Sequence, residues 1–332
     1  MITAGRTLWL AFALISSLLL CALSISVGSR SIGLTEVWQV LLHPQETTEG
    51  VVVMQLRVPR TVIAVVVGAA LAVAGVLMQS LTRNPLADPG ILGINAGASL
   101  AVVMAVAITG IASITFYLWF AFLGAAAAAV GVYLLGSVGR QSATPARLAL
   151  AGVAITAALS ALVQTIILTN QEAFNEFRFW TAGSLEGRGL DITAVVAPFI
   201  AAGALCALAL APTLNALALG DETGAALGVR IRRTRALTFL AVTLLCGAGT
   251  AAVGPIAFVG LGIPYLARAA VGPDLRWAVP MCLLLGPAML LAADIFGRVI
   301  ITPQEVQAGI ITALFGAPVF IAIVRRRRIE AV

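Results

Sequence analysis

Charged side chains are scarce in this chain, so those at apolar positions are the first candidates for chemistry. Asp294 and Arg298 lie four residues apart in a long apolar run, a spacing that puts them on one helix face within reach of an ion pair. An aspartate at the centre of a membrane helix costs about 2.5–3.5 kcal/mol on insertion scales, so Asp294 is expected to face protein or a cavity. A proton relay is the alternative use of such an acid. Arg57 and Arg60 flank Pro59 in RVPR, and their planar, permanently charged guanidiniums suit carboxylate partners. In LALGDETGAALGV, residues 217–229, Gly220 and Gly228 bracket a short helix expected from Asp221 to Leu227. Asp221 and Glu222 fall in its first turn, where the helix dipole favours negative charge. Asn84 and Leu86 belong to an NPLA segment whose Asn and Pro are turn-forming types.

Other chemistries lack their residues. His43 is the only histidine, in a polar segment, and Cys21, Cys206, Cys246 and Cys282 are scattered through apolar stretches without metal-ligand spacing. No catalytic residue and no metal site is expected. All 20 basic residues are arginines. A P-loop needs a lysine on the nucleotide phosphates, so any ATP hydrolysis must come from a partner chain. The RRRR run at 325–328 reads as a topology anchor rather than a nucleic-acid patch.

The elements that position these residues are membrane helices. The chain of 332 residues is 61% hydrophobic and 10% charged, against about 25% charged in globular chains. A bilayer core about 30 Å thick needs about 20 apolar residues per helix. Ten runs qualify: Leu8–Val27, Val62–Leu81, Ile91–Ile111, Tyr117–Val138, Ala149–Leu168, Ile192–Ala211, Ala236–Val253, Ile256–Val271, Val279–Ile300 and Ala308–Val324. The eighth is short and broken by Pro264. The fold class is therefore an all-α membrane protein of about ten transmembrane helices, one domain over residues 1–332. The first run is too long for a signal-peptide core and reads as an uncleaved helix. Ten spans put both termini on one side. With that side cytoplasmic, Arg6, Arg83, Arg140, Arg147, Arg230, Arg232, Arg233, Arg235, Arg268, Arg276 and Arg325 to Arg328 lie inside. Arg30, Arg57, Arg60, Arg178, Arg188 and Arg298 lie outside, which agrees with the positive-inside rule.

Four segments are more specific: residues 57–99, 217–229, 253–277 (VGPIAFVGLGIPYLARAAVGPDLRW) and 293–320 (ADIFGRVI and TPQEVQAGIITALFGAPVF). In order and in register with ten spans, they resemble the permease family of iron–siderophore, haem and vitamin B12 ABC importers. RFWTAGSL at 178–185 and GTAAVGPIAF at 249–258 are most similar to its ferric-enterobactin branch, where two different permease chains pair. Tyr265 departs from the histidine usual in the family after that proline.

The resemblance implies a vitamin B12 importer-like permease fold in the bacterial inner membrane. Two permease subunits would surround a central pathway, as a heterodimer in preference to a homodimer. Two cytoplasmic ATPase subunits would bind ATP-Mg, and an extracytoplasmic binding protein would deliver a ferric siderophore. It implies docking of that protein on Arg57, Arg60 and Arg298. ATPase coupling would run through Gly220, Asp221, Glu222, Leu227 and Gly228 in a cytoplasmic segment at about 212–235. A cytoplasmic gate would include Asn84 and Leu86. The family's other gate segment would fall near Ser142–Ala146, where Pro145 is atypical, so no gate role is carried over to it. Haem or a cobalamin is the alternative cargo. Two other classes compete with an importer subunit. An ion-gradient-driven secondary transporter would need more intramembrane acids, and an intramembrane enzyme would need a clustered nucleophile and base.

Overall fold

The computed structural model describes residues 2–28, 32–43, 47–137 and 145–326. Arg30, Arg140, Arg327 and Arg328 of the charge map and Ser142 to Thr144 fall outside them. In lipid every backbone group must be bonded within its own segment, so runs rich in Val and Ile form helices here. Among the described residues these are α1 (Ile2–Ser26), α2 (Leu34–Leu42), α3 (Thr48–Val51), α4 (Val58–Thr82), α5 (Ile94–Thr109), α6 (Ile114–Ser137), α7 (Pro145–Thr169), α8 (Gln171–Thr181), α9 (Leu190–Ala218), α10 (Asp221–Ala226), α11 (Ile231–Val253), α12 (Val259–Val271), α13 (Leu275–Val299) and α14 (Ala308–Arg326).

Seven helices are long and apolar enough to cross a bilayer: α1, the continuous Thr48–Thr82 helix that includes α3 and α4, α6, α7, α9, α11 and α13. Shorter apolar helices in α5, α12 and α14 complete the ten expected positions in the expected order. One end of the bundle, the arginine-rich face, carries Arg83 and the start of α11 with Arg230, Arg232, Arg233 and Arg235, and Asp221 pairs with Arg83 and Arg235 there. The opposite face gathers Arg60, Asp294, Arg298 and Glu305.

Three departures from the hydropathy pattern have local causes. The second span starts earlier than expected, because a π-helical stretch over Val52–Arg57 joins α3 to α4 without a break. The third span begins at Ile94, after a 3-10 turn over Pro89–Leu92 whose N-cap, Asp88, accepts a hydrogen bond from Gly90 N at 2.7 Å. The eighth begins at Val259 rather than Ile256. Gly254 (φ +79°) and Phe258 (φ +69°) are left-handed, and Pro255 between them has no N–H to give. Both irregular stretches are packed inside protein: Gly152 lies against the Ile91 carbonyl, Gly260 against Pro89, and Gly254 against the Trp180 carbonyl. Irregular backbone survives at membrane depth only in such surroundings.

α4 and α11 are the pillars of the core, whereas α1 and α7 lie mostly exposed at its edge. Hydrophobic burial cannot drive helices together in lipid, so close contact is made at small residues. Gly68 of α4 meets Gly286 of α13, Gly75 of α4 meets Gly260 of α12, and Gly97 of α5 meets Gly124 of α6. A Cβ at Gly75 would run into the Gly260 carbonyl, while one at Gly262 would meet nothing within 4 Å. We expect Gly75→Ala to destabilise the detergent-solubilised protein by about 1–3 kcal/mol, with Gly262→Ala neutral or slightly stabilising. Equal thermal midpoints for the two variants would contradict this packing.

Candidate functional site

On the face opposite the arginine-rich one, α13 carries Asp294, only 1% exposed. Arg60, two residues into α4, approaches it sideways: Nη2 and Nε donate to Oδ1 at 2.8 and 3.0 Å. Arg298, one turn further along α13, takes Oδ2 at 2.8 Å. One carboxylate thus neutralises part of two guanidiniums. Arg60 is completed by Glu305 in the loop before α14, whose Oε2 accepts from Nη1 at 2.6 Å.

The remaining donors of the cluster close α1. Arg298 Nη1 donates to the carbonyls of Ser24 and Val27 at 2.8 and 3.0 Å, and its Nη2 to Ser24 Oγ at 2.7 Å. Arg57 Nη1 donates to the carbonyls of Ile25 and Ser26 at 3.0 and 2.7 Å. The last carbonyls of a helix have no partner in their own helix and carry its negative dipole end, so cations are favoured there. Ser24 Oγ also meets Thr61 Oγ1 at 2.8 Å, tying α1 to α4.

Beside this cluster lies a cavity of about 420 Å³ lined by Arg57, Arg60, Arg188, Arg298, Glu186 and Glu305, among others. Arg188 reaches back from the cavity to Tyr117 at the start of α6. The Tyr117 hydroxyl donates to Glu176 Oε1 on α8 at 2.6 Å. The arrangement offers several guanidinium groups to an incoming carboxylate, and internal acids already occupy part of that capacity.

The arginine-rich face carries a second cluster. Asp221 opens α10 and is shared: Oδ1 accepts from Arg83 Nη2 at 2.5 Å and Oδ2 from Arg235 Nη2 at 2.7 Å. Arg83 also donates to the Leu217 carbonyl in the last turn of α9, at 2.6 Å. Partial burial pushes the Asp221 carboxyl up, but hydrogen bonds and charge from Arg83 and Arg235 outweigh it and hold the group below the usual carboxylate range. Gly224 seats α10 on Leu217, leaving Glu222, Ala225, Ala226 and Leu227 exposed. Gly220 (φ +114°) and Gly228 (φ +84°) bracket the helix in conformations that glycine adopts without strain.

Asn84 and Leu86 sit in a turn just past α4. Asn84 Oδ1 accepts from Leu86 N at 2.9 Å, and Leu86 is 40% exposed. Tyr265 is half-buried on α12. The structure therefore brings Arg60, Asp294 and Arg298 into one cluster, with Arg57 beside it at the end of α1. It brings Gly220, Asp221, Glu222, Leu227 and Gly228 onto one short helix and its flanks. Glu305, Arg188, Arg83 and Arg235 belong to these clusters too, and the sequence placed the three arginines only by side of the membrane. Glu305 had one legible signal, as the lone acid of the turn that follows α13. Among the described residues, no group of three or more His, Cys, Asp or Glu side chains is placed to hold a metal ion.

Comparison with known proteins fits this architecture. The family model for the FecCD transport family matches residues 15–326. The ferric enterobactin transport system permease protein of Escherichia coli is 47% identical over 92% of this chain and 91% of its own length. A protein of Bacillus subtilis named as a probable siderophore transport system permease is 41% identical over 96% of both chains. A solved ABC transporter of metal-chelate type, in an inward-facing conformation, superimposes with a TM-score of 0.84 at 26% identity, covering 97% of this chain and 100% of that one. The chain belongs to the FecCD transport family, as a multi-pass membrane permease rather than an enzyme.

Proposed function

We propose that this permease imports a ferric siderophore across the bacterial inner membrane by alternating access, as one of two different permease subunits of an ABC importer. The observation that carries the reading is its end-to-end likeness to a ferric enterobactin permease. The absence of lysine from the sequence is consistent with it: this chain has no P-loop lysine, and on this reading ATP-Mg is held by two separate ATPase subunits. Both ends of the chain and the arginine-rich face lie in the cytoplasm on this reading, consistent with the arginine count.

A second permease would cover α7. Towards its middle that helix exposes Ser160, Gln164 and Thr165 among Ala, Val and Leu. Polar side chains at membrane depth face protein or a water-filled path rather than lipid, so a partner subunit or the pathway between two subunits suits this face. Movement of α10 would open the path past Asn84 and Leu86.

The loaded binding protein would dock on the opposite face, with acidic side chains entering the cavity beside Arg57, Arg60 and Arg298. Glu305 now occupies part of that capacity on Arg60. Docking therefore exchanges an internal carboxylate for one from the partner, which costs less than desolvating a lone guanidinium. Charge complementarity of this kind sets register and on-rate more than affinity.

Reconstitution with the ATPase, the second permease and the binding protein in proteoliposomes tests the whole reading. Ferric enterobactin uptake should require both ATP and binding protein. Uptake that ignores ATP and follows a proton or sodium gradient would instead make this a secondary transporter. For docking, Arg60→Gln should slow association of the binding protein about tenfold at low salt, with the gap closing as salt rises. Glu305→Gln, which releases Arg60, should speed it. Slowing of the same size in both variants would place docking elsewhere. Glu222→Arg, on the exposed side of α10, should abolish co-purification of the ATPase. Retention would contradict coupling through that surface.

A further inference from the structure

Asp221 differs from its neighbours on α10 in where its side chain goes. Glu222, Ala225, Ala226 and Leu227 are exposed, whereas the Asp221 carboxylate turns back onto the bundle and is shared by Arg83 and Arg235. Arg83 is the C-cap of α4, in a left-handed conformation (φ +50°), and is followed directly by Asn84 and the irregular stretch that leads to α5. Arg235 lies in the second turn of α11. The Arg83 hydrogen bond to the Leu217 carbonyl brings in the end of α9. Three helices therefore meet at one carboxylate, and Arg83 links a fourth, α9, to it. α10 itself packs on α9 through Gly224, and it is joined to α4 by the ion pair of Asp221 with Arg83.

The flanking backbone allows α10 to move as a unit. Gly220 and Gly228 hold positive φ at either end, and a Cβ at Gly228 would meet nothing within 4 Å. Few-residue hinges that absorb φ/ψ changes are how such segments swing. If the helix swings, what it pulls is decided by what its inward side holds. A half-exposed ion pair stabilises a fold little, so this one is better suited to fixing direction than to strength.

We propose that Asp221 is a positioning residue that delivers movement of α10 to the end of α4 and the Asn84–Leu86 turn through Arg83, while Arg235 holds its second oxygen on α11. This rests on the reading that the exposed side of α10 contacts the ATPase. It assigns the two acids opposite tasks: Glu222 faces the partner, and Asp221 transmits inward.

The test is ferric enterobactin uptake per ATP hydrolysed, measured in proteoliposomes holding the full complex, with co-purification of the ATPase as the second readout. Arg83→Gln leaves α10 itself untouched and should lower uptake per ATP about tenfold, mid-range for an allosteric coupling, while the ATPase still co-purifies. Arg83→Lys, which keeps the charge, should recover most of the loss. Arg83→Gln combined with Asp221→Asn should be no worse than Asp221→Asn alone, because both remove the same link. Unchanged uptake per ATP in Arg83→Gln with the ATPase bound, or losses that add in the double variant, would overturn the proposal. A complex in which Glu222→Arg still retains the ATPase would overturn the docking reading instead, so the two failures are told apart.

Discussion

The structure depends on how one buried carboxylate is shared. Asp294 lies inside a membrane bundle, where an isolated ion is too costly to keep, and it is balanced by Arg60 from α4 and Arg298 from its own helix. Those guanidiniums in turn reach Glu305 and the open end of α1. Removing any member leaves another charge or a helix terminus without its partner. The cluster therefore fixes the relative height and rotation of α1, α4 and α13 on one face. It also holds the arginines of the adjoining cavity in place.

α4 joins this cluster to the second one. It carries Arg60 in its first turn and is closed by Arg83, with 25 residues between its ends. At 1.5 Å per residue that is a rod about 37 Å long. It is buried for most of its length and packed through Gly68 and Gly75 against α13 and α12. A rigid element with a charged contact at each end ties the two faces of the bundle together. The carboxylates at the two ends differ in kind. Asp294 is enclosed within the bundle, whereas Asp221 is half-exposed and sits on a short helix flanked by Gly220 and Gly228.

Much of this was legible in the sequence, for identifiable reasons. Apolar length places the helices because lipid tolerates little else, and the order of ten apolar helices follows from it. The starts of α5 and α12 were misplaced by about three residues, since hydropathy registers neither the 3-10 turn over Pro89–Leu92 before α5 nor the positive φ of Gly254 and Phe258 before α12. α2 and α8 were missed because their polar faces break the apolar run. The i, i+4 spacing of Asp294 and Arg298 reveals a possible pair, but Arg60 is 234 residues away in sequence and nothing local announces it. Arg57 reads as an exposed, partner-seeking charge, and only the fold shows that it donates to the end of α1. The Arg83–Asp221 contact is likewise a product of topology, bringing together the ends of helices 138 residues apart.

The shared carboxylate is tested most directly by a double-mutant cycle on Asp294 and Arg298, read as unfolding free energy in lipid nanodiscs. Asp294→Asn alone should cost about 3–5 kcal/mol, the usual penalty for stranding a buried charge. Adding Arg298→Met should cost clearly less than the sum of the two single losses, because the second change removes the stranded charge. Losses that simply add would mean that the two groups do not depend on each other, and the account of this face as one balanced cluster would be wrong.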